Sequence, residues 1–132
     1  MTSNITLGGT VRISKTQQLL DLAKSKGVKV HFKRYLGNFL GQYDWKTHTI
    51  DIERRSCKRE MIYTLAHELG HAHYRHGFAY YEEHELYDGI LDEEIAAWNY
   101  AGKLARKFGF FNACFIRDRN RSLSAKMQLL KE

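Results

Sequence analysis

The sequence predicts an α+β domain: a small antiparallel or mixed sheet, a helix carrying two spaced histidines, and a following helix that bears a glutamate. Three observations predict it. Residues 28–53 hold short alternating apolar runs broken by a polar stretch, the pattern of strands and a hairpin. Residues 57–75 place His67-Glu68-Leu69-Gly70-His71, an HExxH pattern, inside a run with helical spacing. Residues 91–108 repeat apolar positions at intervals of three and four.

With 132 residues, 43% of them hydrophobic and 13% aromatic, the chain has the material for one domain with a real core and lacks the composition of disorder. No apolar run approaches the length of a bilayer span, so no membrane partner is expected. The opening MTSNITLGGTVRISK lacks the basic-then-apolar layout of a secretory signal, and a cytoplasmic protein is the expectation. Cys57 and Cys114 are the only cysteines, too few and too far apart for a disulfide framework or a CxxC site; reduced, buried or half-buried thiols are expected. The net charge of +6 favours acidic partners, but the basic residues are dispersed and no nucleic-acid motif accompanies them. Direct nucleic-acid binding therefore has no motif behind it.

Taken in order, residues 1–13 read as an arm. Lys15 to Lys26 spaces Leu19, Leu20, Leu22 and Ala23 helically, with Ser14 as N-cap and Gly27 as the stop. Val28 to Phe32 alternates as a strand. Phe39–Tyr43 and Thr49–Glu53 flank Asp44-Trp45-Lys46-Thr47-His48 as a hairpin, with Ile50 and Ile52 facing the core. Ser56 or Cys57 then opens the motif helix, which runs to about Arg75. Residues 77–90 lack clean periodicity and read as a long loop or short helical pieces. A second strong helix runs from Leu91 to Phe108. Residues 109–132 form a C-terminal extension with one more helix expected around Ser122 to Leu130.

On the motif helix Ile62, Leu65, Leu69 and Ala72 form one apolar stripe, while Glu60, Tyr63, His67, His71 and Tyr74 lie roughly opposite, toward a cleft. Histidines four apart project from one side of a helix, one turn apart, so one zinc ion can accept both imidazoles. Glu68 between them is placed to activate water on such an ion. The alternative is a helix whose histidines have no chemical part.

A catalytic zinc takes three protein ligands and leaves a fourth position open. The extended pattern HExxHxxGxxH fails here, because Tyr74 stands at its glycine and Gly77 at its last histidine. His73 and His76 then read as surface histidines or as supports for a ligand. The other common solution is a glutamate from a following helix. Glu94 falls in the seam of Leu91, Trp98, Ala101, Ala105 and Phe108, where an uncompensated carboxylate is costly. A cation held by the two histidines would compensate it; a buried salt bridge to an arginine or lysine is the alternative. Glu93 stands at the edge of the seam as the substitute, and Asp92 and Asn99 lie on the polar side.

The constellation resembles the ImmA/IrrE family of zinc peptidases over roughly residues 15–108. GQYDWKTHTIDIERRSCKREMIYTLAHELGHAHYRH is similar to that family's glycine-led hairpin, extended segment and TLAHELGH, and EEIAAWNYAGKLARKF resembles its ExxAxxFAxxLL helix. The resemblance implies a zincin-like fold, zinc held by His67, His71 and Glu94, and Glu68 as the general base and acid of an endopeptidase. It also implies a protein substrate, of which a phage or mobile-element repressor is one kind, and host cytoplasm as the site of action. The chain departs from the family where Leu104-Ala105-Arg106-Lys107-Phe108 replaces the usual LLMP ending, and where no helix-turn-helix region precedes the motif, as in the family's stand-alone form.

Tyr74, Tyr80, Tyr81, His84, Tyr87 and Tyr100 are candidates to stabilise an oxyanion, and Glu60 to orient a histidine. Two other readings remain open at this point. One is a DNA-associated protease of the SprT type, with His84 as third ligand. The other is a non-catalytic domain that binds a repressor or nucleic acid and uses zinc structurally.

Overall fold

The structure, a computed structural model, describes residues 14–34, 36, 40–54, 57–76 and 87–130, the last stretch with side chains from 91 to 128. Helix α1 spans Lys15–Ser25. Its N-cap is Ser14, whose hydroxyl accepts the Gln17 amide at 3.1 Å and so satisfies one of the orphan donors of the first turn. The helix ends at Gly27, whose φ of +74° turns the chain, and the Val28 amide closes back on the Ala23 carbonyl at 2.9 Å.

Three strands follow: β1 Lys29–Lys33, β2 Gly41–Asp44 and β3 Thr49–Glu53. Their order is β1-β3-β2, with β3 antiparallel to β2 and parallel to β1. The sheet is therefore mixed, one of the two expected forms. Val30 pairs with Ile50 and Phe32 with Ile52 on one side; Tyr43 pairs with Ile50 on the other. As the central strand β3 has neighbours on both edges, and Ile50 and Ile52 are fully buried, as their alternation predicts. The hairpin turn is held by Asp44, whose carboxylate accepts the Lys46 amide at 2.9 Å, and by the Tyr43 hydroxyl against His48 Nδ1 at 2.6 Å.

Helix α2 spans Lys58–Tyr74, with Cys57 at its N-cap position. Helix α3 spans Tyr87–Phe108 and α4 spans Ala113–Leu130. Two expectations are corrected here. Helix α3 spans Tyr87–Phe108, so residues 87–90 belong to it and it does not start at Leu91; residues 77–86 lie outside the described residues. Helix α4 begins nine residues before Ser122. Asn112 caps it: its side-chain oxygen accepts the Phe115 amide at 2.9 Å and its carbonyl accepts the Ile116 amide at 3.0 Å. The first turn of α4 also carries core, since Phe115 is fully buried against Tyr63, Trp98, Phe110 and Phe111. The C-terminal segment is thus part of the hydrophobic core.

The two sides of α2 meet different neighbours. Leu65, Leu69 and Ala72 are buried, and Ile62 is half-buried. Tyr63 corrects the wheel reading: it lies on the histidine side yet is 3% exposed, stacked on Phe110 and donating its hydroxyl to Asn112 at 3.2 Å. The middle of that side is thus packed against α3 and α4, while Tyr74 at its end is exposed. Cys57 and Cys114 are free, half-buried thiols. Among the described residues no helix is long and apolar enough to cross a membrane.

Candidate metal centre

The site begins with a glycine. Gly70 stands in the middle of α2, where glycine costs about 1 kcal/mol relative to alanine. The reason is the backbone of α3. A β-carbon at Gly70 would meet the Ala97 carbonyl oxygen at 2.4 Å and its Cα at 2.7 Å. The missing side chain lets α2 and α3 touch backbone to backbone. Glu94 lies one turn before Ala97, so this contact carries its carboxylate to the two rings projecting on either side of Gly70. Gly41 does the same for the sheet: a β-carbon there would meet Thr64 Cγ2 at 2.6 Å, so β2 lies directly against α2.

Glu94 is 8% exposed and bridges the two histidines. Its Oε1 lies 2.9 Å from His67 Nε2 and its Oε2 lies 3.0 Å from His71 Nε2. The partners of this buried acid are imidazoles, which replaces the expected alternative of an arginine or lysine. Glu93 is half-buried; Asp92 and Asn99 are exposed, as the wheel placed them. Glu68 is 5% exposed, and its Oε2 lies 3.4 Å from His67 Nδ1. Trp98 stacks on the His67 ring at 4.5 Å and 21°, and its indole N–H donates to Ser122 Oγ at 3.3 Å. The ring that would face an ion is thereby clamped from behind by a residue of α3 tied to α4.

The electrostatics follow from this packing. Burial disfavours the charged form of His67, but the carboxylates of Glu68 and Glu94 outweigh it and hold the imidazole at about 9. Burial disfavours the Glu94 carboxylate too, yet His67 and His71 hold it below the ordinary range. Burial, followed by the neighbouring His71, pushes His76 down to about 4, so this ring is neutral near pH 7.

Two donor sets can be drawn here. The donor atoms of His67, Glu68 and His71 lie within 4.8 Å of one another. The Nε2 atoms of both histidines, however, face Glu94, whereas Glu68 faces the opposite nitrogen of His67. His67, His71 and Glu94 could hold a cation together, because among the described residues Glu94 is the acid that contacts Nε2 of both rings. Donors of a tetrahedral zinc with bonds of about 2.0–2.1 Å stand roughly 3.3 Å apart, so each of the two histidine–carboxylate contacts would need to open by only a few tenths of an ångström. Two imidazoles and one carboxylate are a donor set of catalytic zinc, which keeps a further position for solvent.

A cavity of about 390 Å³ opens beside this cluster. Glu68 and His67 stand on its wall together with Tyr63, Thr64 and Trp98; β2 supplies Gly41, and α4 supplies Asp118, Arg121 and Ser122. Glu60 lines the same cavity, and Glu68 and Glu94 both meet His67. Of the oxyanion candidates, Tyr74 is 48% exposed and stacks on His76, and Tyr100 stacks on His73; neither lines the cavity. Tyr80, Tyr81 and His84 lie outside the described residues, and of Tyr87 only the backbone is described.

Sequence reasoning missed the purpose of Gly70 and the clamp of Trp98 on His67, and it read His76 as a surface histidine or a support for a ligand without naming His71 as its partner. Only the first left a signal, since an isolated glycine inside a helical pattern points to a close approach. Comparison with protein-family models, with curated proteins and with solved structures yields no match.

Proposed function

We propose that the chain is a zinc-dependent endopeptidase with a zincin-like site, of the kind the ImmA/IrrE resemblance implies, acting on a peptide bond of a protein substrate such as a DNA-binding repressor. One observation carries the reading: a buried carboxylate from α3 lies 2.9 and 3.0 Å from the converging Nε2 atoms of an HExxH pair, with the motif's own glutamate on the wall of an open cavity. Structural zinc sites are closed by four protein ligands. Among the described residues three donors meet here, and the cavity gives a substrate access to Glu68.

His67, His71 and Glu94 would hold the ion, which when bound lowers the pKa of a water to about 7 and polarises the scissile carbonyl. The protein groups do the rest. Glu68, buried and facing the cavity, takes a proton from the attacking water on its carboxylate and returns it to the leaving nitrogen. Glu68 is 5% exposed, so little bulk water reaches that carboxylate and its interactions are strengthened. Arg121 and Ser122 bring donors to the far wall, where a substrate backbone needs partners.

The test is a pair of variants assayed on a peptide library and by metal analysis. Glu68→Gln should keep fold and zinc while cleavage falls by on the order of 10²–10⁴-fold, the range of general acid–base contributions. Glu94→Ala should lose the metal. Equal turnover in Glu68→Gln and the parent ends the proposal.

A further inference from the structure

The last turn of α2 does something a helix end does not need to do. Arg75, the residue after the helix, adopts the left-handed conformation at φ 50° and ψ 48°. For a residue with a β-carbon this costs about 1–2 kcal/mol, and glycine is the usual occupant. The turn it makes is well tied: the Arg75 amide donates to the Ala72 carbonyl at 3.1 Å and the His76 amide to the His71 carbonyl at 2.9 Å. The Arg75 guanidinium donates to the Trp45 carbonyl at 3.0 Å, pinning the turn to the β2–β3 hairpin. Its result is to fold His76 back along the helix until its Nδ1 lies 2.9 Å from His71 Nδ1. The Tyr74 ring stacks on His76 at 5.2 Å and 17° and holds it there.

Two like nitrogens at that distance can share only one proton: one ring donates an N–H and the other accepts on a lone pair. The opposite nitrogen of His71 decides which. His71 Nε2 faces the Glu94 carboxylate at 3.0 Å, where it donates an N–H; once a cation is held between them it presents a lone pair instead. A neutral His71 with Nε2 unprotonated carries its hydrogen on Nδ1. We infer that His76 is the positioning residue of His71, accepting its Nδ1–H and so fixing both the tautomer and the ring plane in which Nε2 is directed at the metal. Ligating histidines are ordinarily supported in this way by a carboxylate, a carbonyl or water. An imidazole acceptor supplies the same direction without adding a negative charge to a centre that already holds Glu94 and Glu68.

The inference rests on the metal-site reading above, and its test separates the two. Zinc affinity is measured by competition with a chromophoric chelator, and the histidine tautomers by nitrogen-15 NMR of the zinc-loaded full chain, for the parent, His76→Leu and His76→Gln. His76→Leu should weaken zinc binding about 10–100-fold, the range seen when such supports are removed. His71 should then lose its single Nδ1–H tautomer. His76→Gln, which keeps an acceptor, should recover most of both, and remains informative if the leucine variant does not fold. Unchanged affinity and an unchanged His71 tautomer in His76→Leu, with a parent that binds zinc, would sink the inference alone. A parent that takes up no zinc would sink the metal reading and the inference with it. Cobalt-loaded protein that loses a coordinated ring in His76→Gln would overturn it differently, by making His76 a ligand.

Discussion

The two faces of α2 are both buried, and they are buried by different physics. On one face Leu65 and Leu69 are 1% exposed, Ala66 is fully buried and Ala72 is 4% exposed, packed by non-directional contact with the rest of the core. On the other, His67 meets Glu68 and Glu94, and His71 meets Glu94 and His76, through contacts of 2.9 to 3.4 Å whose atoms are individually specified. The first face tolerates a change of shape for a few kcal/mol, because dispersion and the hydrophobic effect are summed over many atoms. The second depends on single atoms, so a change there costs little packing and removes chemistry. Gly70 is where the two requirements meet.

The largest expected effect therefore comes from breaking both faces at once. Gly70→Ala puts a β-carbon where the Ala97 backbone sits at 2.4 Å. Overpacking against backbone cannot be relieved by a rotamer, so a loss of about 3 kcal/mol or more in urea unfolding is expected, together with loss of zinc. A variant as stable as the parent would show that α2 and α3 are free to separate. Leu65→Ala tests the apolar face alone. It should cost about 2–5 kcal/mol and leave zinc affinity per folded molecule unchanged. A fall in affinity would mean that the two faces are coupled through the helix.

Glu94→Gln tests the polar face alone, and its effect depends on pH. In chelator-treated protein His67 is raised from 6.5 to about 9 and Glu94 is lowered from 4.5. The His67 contribution to stability is full below about 6.5 and is lost as pH rises through about 9. The Glu94 contribution is full above about 4.5 and is lost as pH falls toward its depressed value. The melting-temperature difference between parent and Glu94→Gln should therefore be widest between about 4.5 and 6.5 and shrink as pH passes 9. A difference independent of pH would mean that the carboxylate–imidazole pair does not form. The smallest effect is a proton count. With His67 held at about 9, zinc uptake at pH 7 should release about one proton from it, read by calorimetry in two buffers of different ionisation enthalpy. No buffer dependence would mean that His67 is already neutral.

Much of this was legible in residue spacing. Ser14 and Gly27 bound α1, the alternation of Ile50 and Ile52 reports β3, and the i, i+4 histidines report a site on one side of α2. Glu94 was legible by its cost, as a charge in an apolar seam. The start of α4 was not, because Asn112 caps it while also accepting the Tyr63 hydroxyl from a helix about fifty residues earlier. The burial of Tyr63 follows from the same contact. The parallel pairing of β1 with β3 was open because strand alternation is the same for either direction.

By itself the sequence determined what depends on near neighbours: the periods of the helices and strands, their caps, and the placing of two imidazoles on one helix face, since backbone geometry sets these locally. Only the tertiary structure decided which nitrogens face Glu94, that Gly70 lets α3 come close enough to deliver it, and that a left-handed Arg75 tied to the hairpin returns His76 to His71. These depend on the angle and distance at which separate elements pack. That is a property of the summed contacts of the whole core, which no local window contains.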